Sequence, residues 1–157
     1  MSAAESCTGG LLGYIITSIS GASEVFLGSA VTYSNESKVS VVGVRESTLI
    51  AHGAVSLETA REMAEGSVRA YGSDVAVSIT GIAGPGGAVE GKPVGTVCFA
   101  VSDGARTVAS RCHFDGDREQ VRRSAASEAI SLLSEFIQGR LRAPNGKSKI
   151  RGRPVRA

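Results

Sequence analysis

Residues 94–114 read VGTVCFAVSDGARTVASRCHF, in which the apolar runs 94–102 and 106–114 flank Asp103, Gly104 and Ala105. An Asp-Gly pair between two such runs is a strong hairpin signal, because glycine takes the positive φ of a tight turn at little cost. The stretch therefore predicts two antiparallel strands. The hairpin decides the fold class. The strands predicted upstream of it are separated by helices, so adding an antiparallel pair to them predicts an α/β protein with a mixed sheet.

Upstream of the hairpin, predicted strands and helices alternate. The runs 24–34 and 74–80 have the length and composition of strands, and residues 1–4 are expected to belong to a first strand. Helices are predicted from apolar spacing and capping residues over 8–20, 35–44, a turn ending near Gly53, 57–72, and a long segment from Asp117, whose capping box includes Gln120, to Gly139. This order predicts an α/β protein, a three-layer α/β/α sandwich with a mixed sheet that includes the antiparallel hairpin.

Composition divides the chain into two unlike parts. The 157 residues fit one domain, and 42% hydrophobic with 20% charged residues is typical of a globular protein. Residues 138–157 hold seven Lys or Arg and no acid, which leaves ten basic and fifteen acidic residues in 1–137, a net charge of −5. We therefore predict a domain over 1–139 and a basic, disordered tail over 140–157.

The basic tail predicts little about function. Its cations could give weak, nonspecific and salt-sensitive binding to nucleic acid. No aromatic residue lies in 138–157 to stack on bases, so a solvated end is the favoured interpretation.

Membrane, secretory and metal-binding classes are disfavoured by the sequence. No apolar run approaches the roughly 18 residues of a membrane span, and the N-terminus lacks the basic and apolar regions of a signal peptide. Cys7, Cys98 and Cys112 are odd in number and widely spaced. They predict reduced thiols in a cytoplasmic protein, with neither a disulfide framework nor a zinc site.

The segment ESCTGG (5–10) is the first candidate for chemistry. It places the Ser6 hydroxyl beside a helix N-terminus, whose unpaired N–H groups attract anions, and Gly9 and Gly10 would let a ligand reach the backbone. It predicts a phosphate or oxyanion site. On spacing alone, a plain N-cap Ser or Thr before a glycine turn is the favoured alternative.

A possible base for Ser6 lies in TYSNESK (32–38), which contains Tyr33, Asn35 and Lys38. Lysine can act as a base when burial lowers its pKa. Because His52 and His113 stand at positions typical of structural residues, Ser–Lys chemistry assisted by the Tyr33 hydroxyl fits this chain better than a Ser-His-Asp triad. A capped, charged helix start remains the alternative interpretation.

Two further segments predict ligand contacts. SITGIAGPGG (78–87) follows a buried strand, so its glycines and the Thr80 hydroxyl are expected at the edge where α/β sheets bind ligands. Arg118 and Arg122 are four residues apart on one helix face and could bind phosphate. The alternatives are a surface turn and a solvated helix face.

Taken together, these segments resemble the C-terminal domain of the CinA family. AESCTGG, VTYSNESKVSVVGV, SITGIAGPGG, KPVGTV and FDGDREQVR occur in that family's order and spacing, over roughly residues 3–137. The resemblance implies a nicotinamide-nucleotide amidohydrolase. Such an enzyme converts nicotinamide mononucleotide to nicotinic acid mononucleotide and ammonia in pyridine-nucleotide salvage, without a metal or cofactor.

The resemblance also implies roles for individual residues. Ser6 matches the nucleophile, Lys38 its base, Tyr33 a hydroxyl that moves a proton or positions the amide, and Thr80 a residue that orients the reacting group. We further expect backbone N–H groups around Cys7–Gly9 to hold the oxyanion. The remaining predicted substrate contacts are Thr8, Gly9, Gly10, Asn35, Gly81, Gly84, Arg118 and Arg122, with the phosphate near the Thr8–Gly10 turn and an arginine.

The family pattern includes a helix and a fuller first strand before AESCTGG. We therefore expect the domain over 1–139 to lack that helix and part of that strand. The alternative function is a nucleotide-binding or competence- or damage-related interaction module of the same fold that has lost turnover. In either case we expect a homo-oligomer whose partner is a small nucleotide, with no membrane contact.

Overall fold

The computed structural model describes residues 1–141, in which a mixed sheet carries helices on both faces. The strands are β1 (Ser2–Glu5), β2 (Gly28–Val31), β3 (Ala76–Gly81), β4 (Thr96–Ser102) and β5 (Thr107–His113). The helices are α1 (Leu11–Thr17), α2 (Asn35–Val42), α3 (Glu46–His52), α4 (Leu57–Tyr71) and α5 (Arg118–Ile137), with a 3₁₀ turn at Ala22–Glu24. From residue 142 onward, the predicted basic tail lies outside the described residues.

The strands lie in the order β2-β1-β3-β4-β5. β1 pairs in parallel with both β2 and β3, whereas β3–β4 and β4–β5 are antiparallel. The predicted hairpin is confirmed as β4–β5, and the sheet is mixed as predicted.

Side chains alternate between the two faces of the sheet, and both faces are covered. On one face Ala3, Ile79 and Phe99 share a buried cluster with residues of α1 and α5. On the other face Ala4 packs with Met63 of α4 and with α2, and further residues of β4 and β5 pack on α4. Helices on both faces of one sheet confirm the predicted three-layer sandwich.

Local signals set most helix boundaries correctly. Asp117 and Gln120 form the predicted capping box at the start of α5, and Ser56 caps α4 by accepting the backbone N–H of Thr59. The predicted strand over 24–34 was too long, because β2 spans only Gly28–Val31. β2 is an edge strand, and its single neighbour β1 offers only four residues for pairing.

The carboxyl ends of the three parallel strands meet at one edge. Directly after β1, the Ser6 backbone N–H donates to the Ile79 carbonyl of β3 at 2.9 Å. After β2, the Thr32 N–H donates to the Glu5 carbonyl at 2.7 Å. Ligands of α/β sheets bind beyond this edge, so the segments following β1, β2 and β3 are positioned to build a site.

Candidate active site

A cleft of about 250 Å³ opens at this edge of the sheet. Its lining includes seven predicted site residues, Ser6, Tyr33, Lys38, Thr80, Gly81, Gly84 and Arg118. The lining also includes Cys7 of the predicted oxyanion segment and Ile82, Ala83, Gly86 and Gly87 of the predicted glycine-rich segment 78–87, whereas Ala54 and Val55 were not predicted to lie at a ligand site. The structure thus brings together parts of the chain more than a hundred residues apart.

Ser6 and Lys38 are in direct contact at the base of the cleft. The Lys38 Nζ lies 3.1 Å from the Ser6 Oγ, and it donates to the backbone carbonyls of Thr32 at 2.8 Å and Tyr33 at 3.4 Å. Lys38 is only 1% exposed and Ser6 7% exposed. Because α2 starts just after β2, its first turn carries Lys38 back onto the end of β1.

The surroundings of Lys38 favour a neutral amine. Burial lowers its pKa from the ordinary value of 10.5, a shift that attraction to Cys7 and Glu36 only partly opposes. No carboxylate forms an ion pair with Lys38 within residues 1–141. The two carbonyls can only accept, so a neutral amine donates both hydrogens to them and turns its lone pair toward the Ser6 hydroxyl. Lys38 is therefore arranged to accept the Ser6 proton.

Cys7 also lines the cleft, but its thiol is poorly suited to be the nucleophile. Burial raises the pKa of Cys7 to about 11, more than the nearby Lys38 and Arg118 lower it. A thiol with this pKa stays protonated at neutral pH, and the thiolate is the reactive form.

Arg118 joins two sides of the cleft mouth. Its Nη1 donates to the Gly84 carbonyl at 2.7 Å, and its Nη2 donates to the Tyr33 hydroxyl at 3.0 Å. The Tyr33 hydroxyl therefore accepts from Arg118 and keeps its own hydrogen available to a ligand. It makes no hydrogen bond to Ser6 or Lys38 within the described chain.

Thr80 and the glycine loop shape the opposite wall. The Thr80 hydroxyl donates to the Ala54 carbonyl at 2.7 Å, which fixes the α3–α4 connection against the cleft. Gly84 has a φ of +83°, and a Cβ there would lie 2.6 Å from the Val94 side chain. A side chain at Gly84 would therefore be strained and would displace the loop.

The predicted phosphate contact in the Thr8–Gly10 turn is not supported. The Gly9 N–H donates to the Ser6 carbonyl at 3.0 Å, and the Gly10 N–H donates to the Glu5 carboxylate at 3.1 Å. These groups are therefore not available to a ligand. Thr8 is fully buried, and its hydroxyl has no hydrogen-bond partner among the described residues. None of the three lines the cleft.

Asn35 and Arg122 also lie elsewhere than predicted. Asn35, the first residue of α2, lines a separate shallow groove with Leu49 and Ile50. Arg122 donates to the Thr8 carbonyl at 2.8 Å and to the Glu119 carboxylate at 2.9 Å. Arg122 thus ties α5 to the turn after Ser6 without reaching the cleft.

The sequence did not lead us to predict that Glu5 caps helix α1. Its carboxylate is completely buried and accepts the backbone N–H groups of Gly10, Leu12 and Gly13 at 2.9–3.1 Å, as well as the Ser29 hydroxyl at 2.7 Å. Glu5 thereby caps α1, whose N-cap residue Gly10 has no side chain. An acid a few residues before a helix that lacks a capping side chain is the signal that could have indicated this role.

Replacing Glu5 with glutamine is expected to lower the free energy of unfolding by about 1–3 kcal/mol, the cost of leaving buried N–H donors poorly paired. The amide keeps one acceptor oxygen but presents an N–H₂ group to the remaining donors. Urea denaturation of Glu5→Gln beside the exposed control Glu24→Gln measures the difference. Equal stability of the two variants would show that the buried carboxylate is not needed to cap α1.

Residues 1–141 contain no metal-binding cluster, disulfide, cleft-lining histidine or membrane-spanning helix. No cluster of His, Cys, Asp and Glu there could hold a metal ion, and the three cysteines are buried without forming a disulfide. Neither His52 nor His113 lines the cleft. Each helix of residues 1–141 is too short or too polar to span a lipid bilayer.

Comparison with known proteins identifies relatives over most of the chain. Residues 1–137 match the family described as the CinA C-terminal domain. A "Nicotinamide-nucleotide amidohydrolase PncC" from Escherichia coli is 51% identical over 138 residues, covering 86% of this chain and 83% of that protein. A "CinA-like protein" from Syntrophomonas wolfei is 50% identical over 135 residues, covering 86% of this chain but only 32% of its own length.

Solved structures agree with the fold. The competence/damage inducible protein CihA from Agrobacterium tumefaciens superposes with a TM-score of 0.84 at 39% identity, covering 87% of this chain and 84% of that one. The chain spans about a third of the length of several CinA-like relatives, which therefore contain additional sequence.

Proposed function

The chain belongs to the CinA C-terminal domain family, and from this premise we propose that it hydrolyses the carboxamide of nicotinamide mononucleotide to nicotinic acid mononucleotide and ammonia. The 51% identity to a relative named nicotinamide-nucleotide amidohydrolase supports this reaction class. The observation that carries the mechanism is the contact between the buried Lys38 amine and the Ser6 hydroxyl, at 3.1 Å.

The first half of the reaction forms an acyl-enzyme. Lys38, whose pKa is lowered by burial, reacts in its neutral form and takes the proton of Ser6 as the Ser6 Oγ bonds to the carboxamide carbon. The tetrahedral intermediate collapses when Lys38 returns this proton to the amide nitrogen. The carbon–nitrogen bond then breaks, ammonia leaves, and an ester to Ser6 remains.

The developing oxyanion needs hydrogen-bond donors near Ser6. The backbone N–H groups of Cys7 and Thr8 directly follow the nucleophile, and neither donates a hydrogen bond to another described residue. Of the predicted Cys7–Gly9 set we assign the Cys7 N–H to the oxyanion, because Cys7 lines the cleft, whereas Thr8 does not and the Gly9 N–H is already engaged with Ser6.

The second half of the reaction uses the same two residues. A water molecule attacks the ester while Lys38 accepts one of its protons, and the proton passes to the Ser6 Oγ as the acid leaves. Carboxamide and water thus become carboxylic acid and ammonia, with both side chains restored. No step needs a metal ion or redox chemistry.

Arg118 is the residue best placed to select a nucleotide. It carries its positive charge at the cleft mouth, where its hydrogen-bond partners within residues 1–141 are neutral, the Gly84 carbonyl and the Tyr33 hydroxyl. A guanidinium bound in this way keeps donors available for a phosphate. We therefore place the 5′-phosphate of the substrate near Arg118 and retain Tyr33 and Thr80 as residues that orient the carboxamide.

The proposal predicts ammonia release from nicotinamide mononucleotide at a higher kcat/KM than from nicotinamide riboside, which lacks the phosphate. In Arg118→Met, KM for the mononucleotide should rise about 10–100-fold, the worth of one or two charge-assisted hydrogen bonds. Arg123→Met on the same helix is the control, because that exposed arginine pairs with Glu119 away from the cleft.

A coupled assay of ammonia with both substrates and both variants measures these effects. Tight binding of the mononucleotide without any ammonia release would contradict the enzyme and favour the binding-module alternative. Equal turnover of mononucleotide and riboside would contradict recognition of the phosphate.

A further inference from the structure

A second cleft, of about 390 Å³, adjoins the catalytic cleft at Val55, which lines both. It lies between the end of α3, the start of α4 and strands β4 and β5, next to Lys92 of the segment that precedes β4. Its lining residues are Ala51, His52, Val55, Ser56, Leu57, Glu58, Lys92, Cys98 and Arg111. The catalytic mechanism uses none of these side chains.

Two half-buried cations dominate the charge of this second cleft. Lys92 donates to the His52 carbonyl at 2.8 Å, and Arg111 donates to the Gly91 carbonyl. Neither forms an ion pair within residues 1–141. Glu58, the one acid among these lining residues, is half exposed and lies 3.9 Å from the His52 ring.

These contacts to carbonyls hold the loop around Gly91 in place, but they occupy only some of the N–H donors of each side chain. An ammonium has three N–H donors and a guanidinium has five, so most donors of Lys92 and Arg111 remain available. These two positive charges lie close together in a domain whose net charge over residues 1–137 is −5. A cavity with two half-buried cations and spare donors is chemically matched to an anion with several acceptor oxygens.

We propose that the second cleft binds a phosphate group through Lys92 and Arg111. Phosphate fits because it accepts paired hydrogen bonds from a guanidinium and an additional one from an ammonium. Because the 5′-phosphate of the substrate is assigned to Arg118 in the catalytic cleft, the group held in the second cleft belongs to a separate phosphorylated compound or is free phosphate. The proposal goes beyond the amidohydrolase reaction and does not depend on turnover.

Calorimetric titration of the full chain with inorganic phosphate tests this proposal at fixed ionic strength. Lys92→Met and Arg111→Met are each expected to weaken phosphate binding about 10-fold or more, the worth of a charge-assisted hydrogen bond. Arg69→Met, at an exposed arginine in the last turn of α4, is the matched control and should leave binding unchanged. Arg111→Lys keeps the positive charge and should bind phosphate more tightly than Arg111→Met. This comparison separates loss of the charge from misfolding of the Met variant.

A parallel titration with nicotinamide mononucleotide identifies the source of the phosphate. It uses Ser6→Ala protein, in which the substrate is expected to survive. If Lys92→Met weakens inorganic phosphate alone, the ligand is a separate compound; if it weakens both ligands, the second cleft holds the substrate's own phosphate and the placement of that phosphate at Arg118 is wrong. Phosphate affinity that is equal in the parent and both Met variants, or no measurable binding at millimolar phosphate, would overturn the proposal.

Discussion

Ser6→Ala is expected to lower kcat for nicotinamide mononucleotide by at least ~10³-fold, as removal of the nucleophile does in other covalent hydrolases. Without the Oγ no ester can form, and Lys38 has no hydroxyl proton to accept. The substitution removes one atom from a nearly buried side chain, so the fold should be unaffected. Ammonia release under saturating substrate, together with circular dichroism of the variant, measures both effects.

Cys7→Ala is the matched control for this prediction, since Cys7 is the neighbouring residue and lines the same cleft. Its raised pKa, about 11, keeps the thiol protonated, so Cys7→Ala should retain most of the activity. A Ser6→Ala protein with more than a tenth of the parent rate, or an inactive Cys7→Ala protein that is correctly folded, would contradict the assignment of Ser6.

Lys38→Met is expected to abolish turnover to a similar extent, at least ~10³-fold, while leaving the protein as stable as the parent or more stable. The methionine fills the same buried space but has no basic nitrogen. In the parent, folding lowers the pKa of Lys38, so the folded protein binds this proton less tightly than the unfolded chain does. The difference lowers the free energy of unfolding of the parent. Removing the amine removes this penalty.

The sign of the effect on stability depends on pH. Since the pKa of Lys38 is depressed on folding, the penalty is fully present below the folded-state pKa and disappears as the pH rises toward 10.5. The stability gain of Lys38→Met over the parent should therefore shrink as the pH approaches 10.5. Urea denaturation at several pH values tests this trend.

Lys38→Arg completes the comparison, because arginine remains charged at any accessible pH. It should be as inactive as Lys38→Met but less stable than the parent. An active Lys38→Arg protein, or a Lys38→Met protein that loses stability at every pH, would contradict the account of a buried neutral base.

The parts of this fold that sequence predicts best depend on local signals. The Asp103-Gly104 hairpin and the Asp117 capping box are each encoded within a few residues, and both are present. The length of β2 could not be predicted in the same way, because it is limited by the four residues of β1 some 25 positions away. The residue types at Ser6 and Lys38 led to the prediction of Ser–Lys chemistry, but their contact is set by the parallel pairing of β1 and β2 and by the first turn of α2.

Two physical effects explain why some predicted site residues lie outside the cleft. Arg118 and Arg122 share a helix face, yet four residues displace them by roughly 6 Å along the axis. Arg118 therefore reaches the cleft, whereas Arg122 reaches the turn at Thr8. The N-terminus of α1 was predicted to attract an anion, and it does so, but the anion is the protein's own Glu5 carboxylate.

Lys38 is proposed to act as the base for Ser6 because burial lowers its pKa, and the titration of Lys38 itself tests this most directly. The chain contains four lysines, which are Lys38, Lys92, Lys147 and Lys149. Carbon-13 labelling at lysine Cε therefore gives few NMR signals, and the signal missing from the Lys38→Met spectrum belongs to Lys38. The pKa of Lys38 should lie below 10.5 and coincide with the acidic limb of the kcat/KM profile for nicotinamide mononucleotide. A Lys38 that titrates at or above 10.5, in an enzyme whose kcat/KM has already reached its plateau at lower pH, would contradict the account.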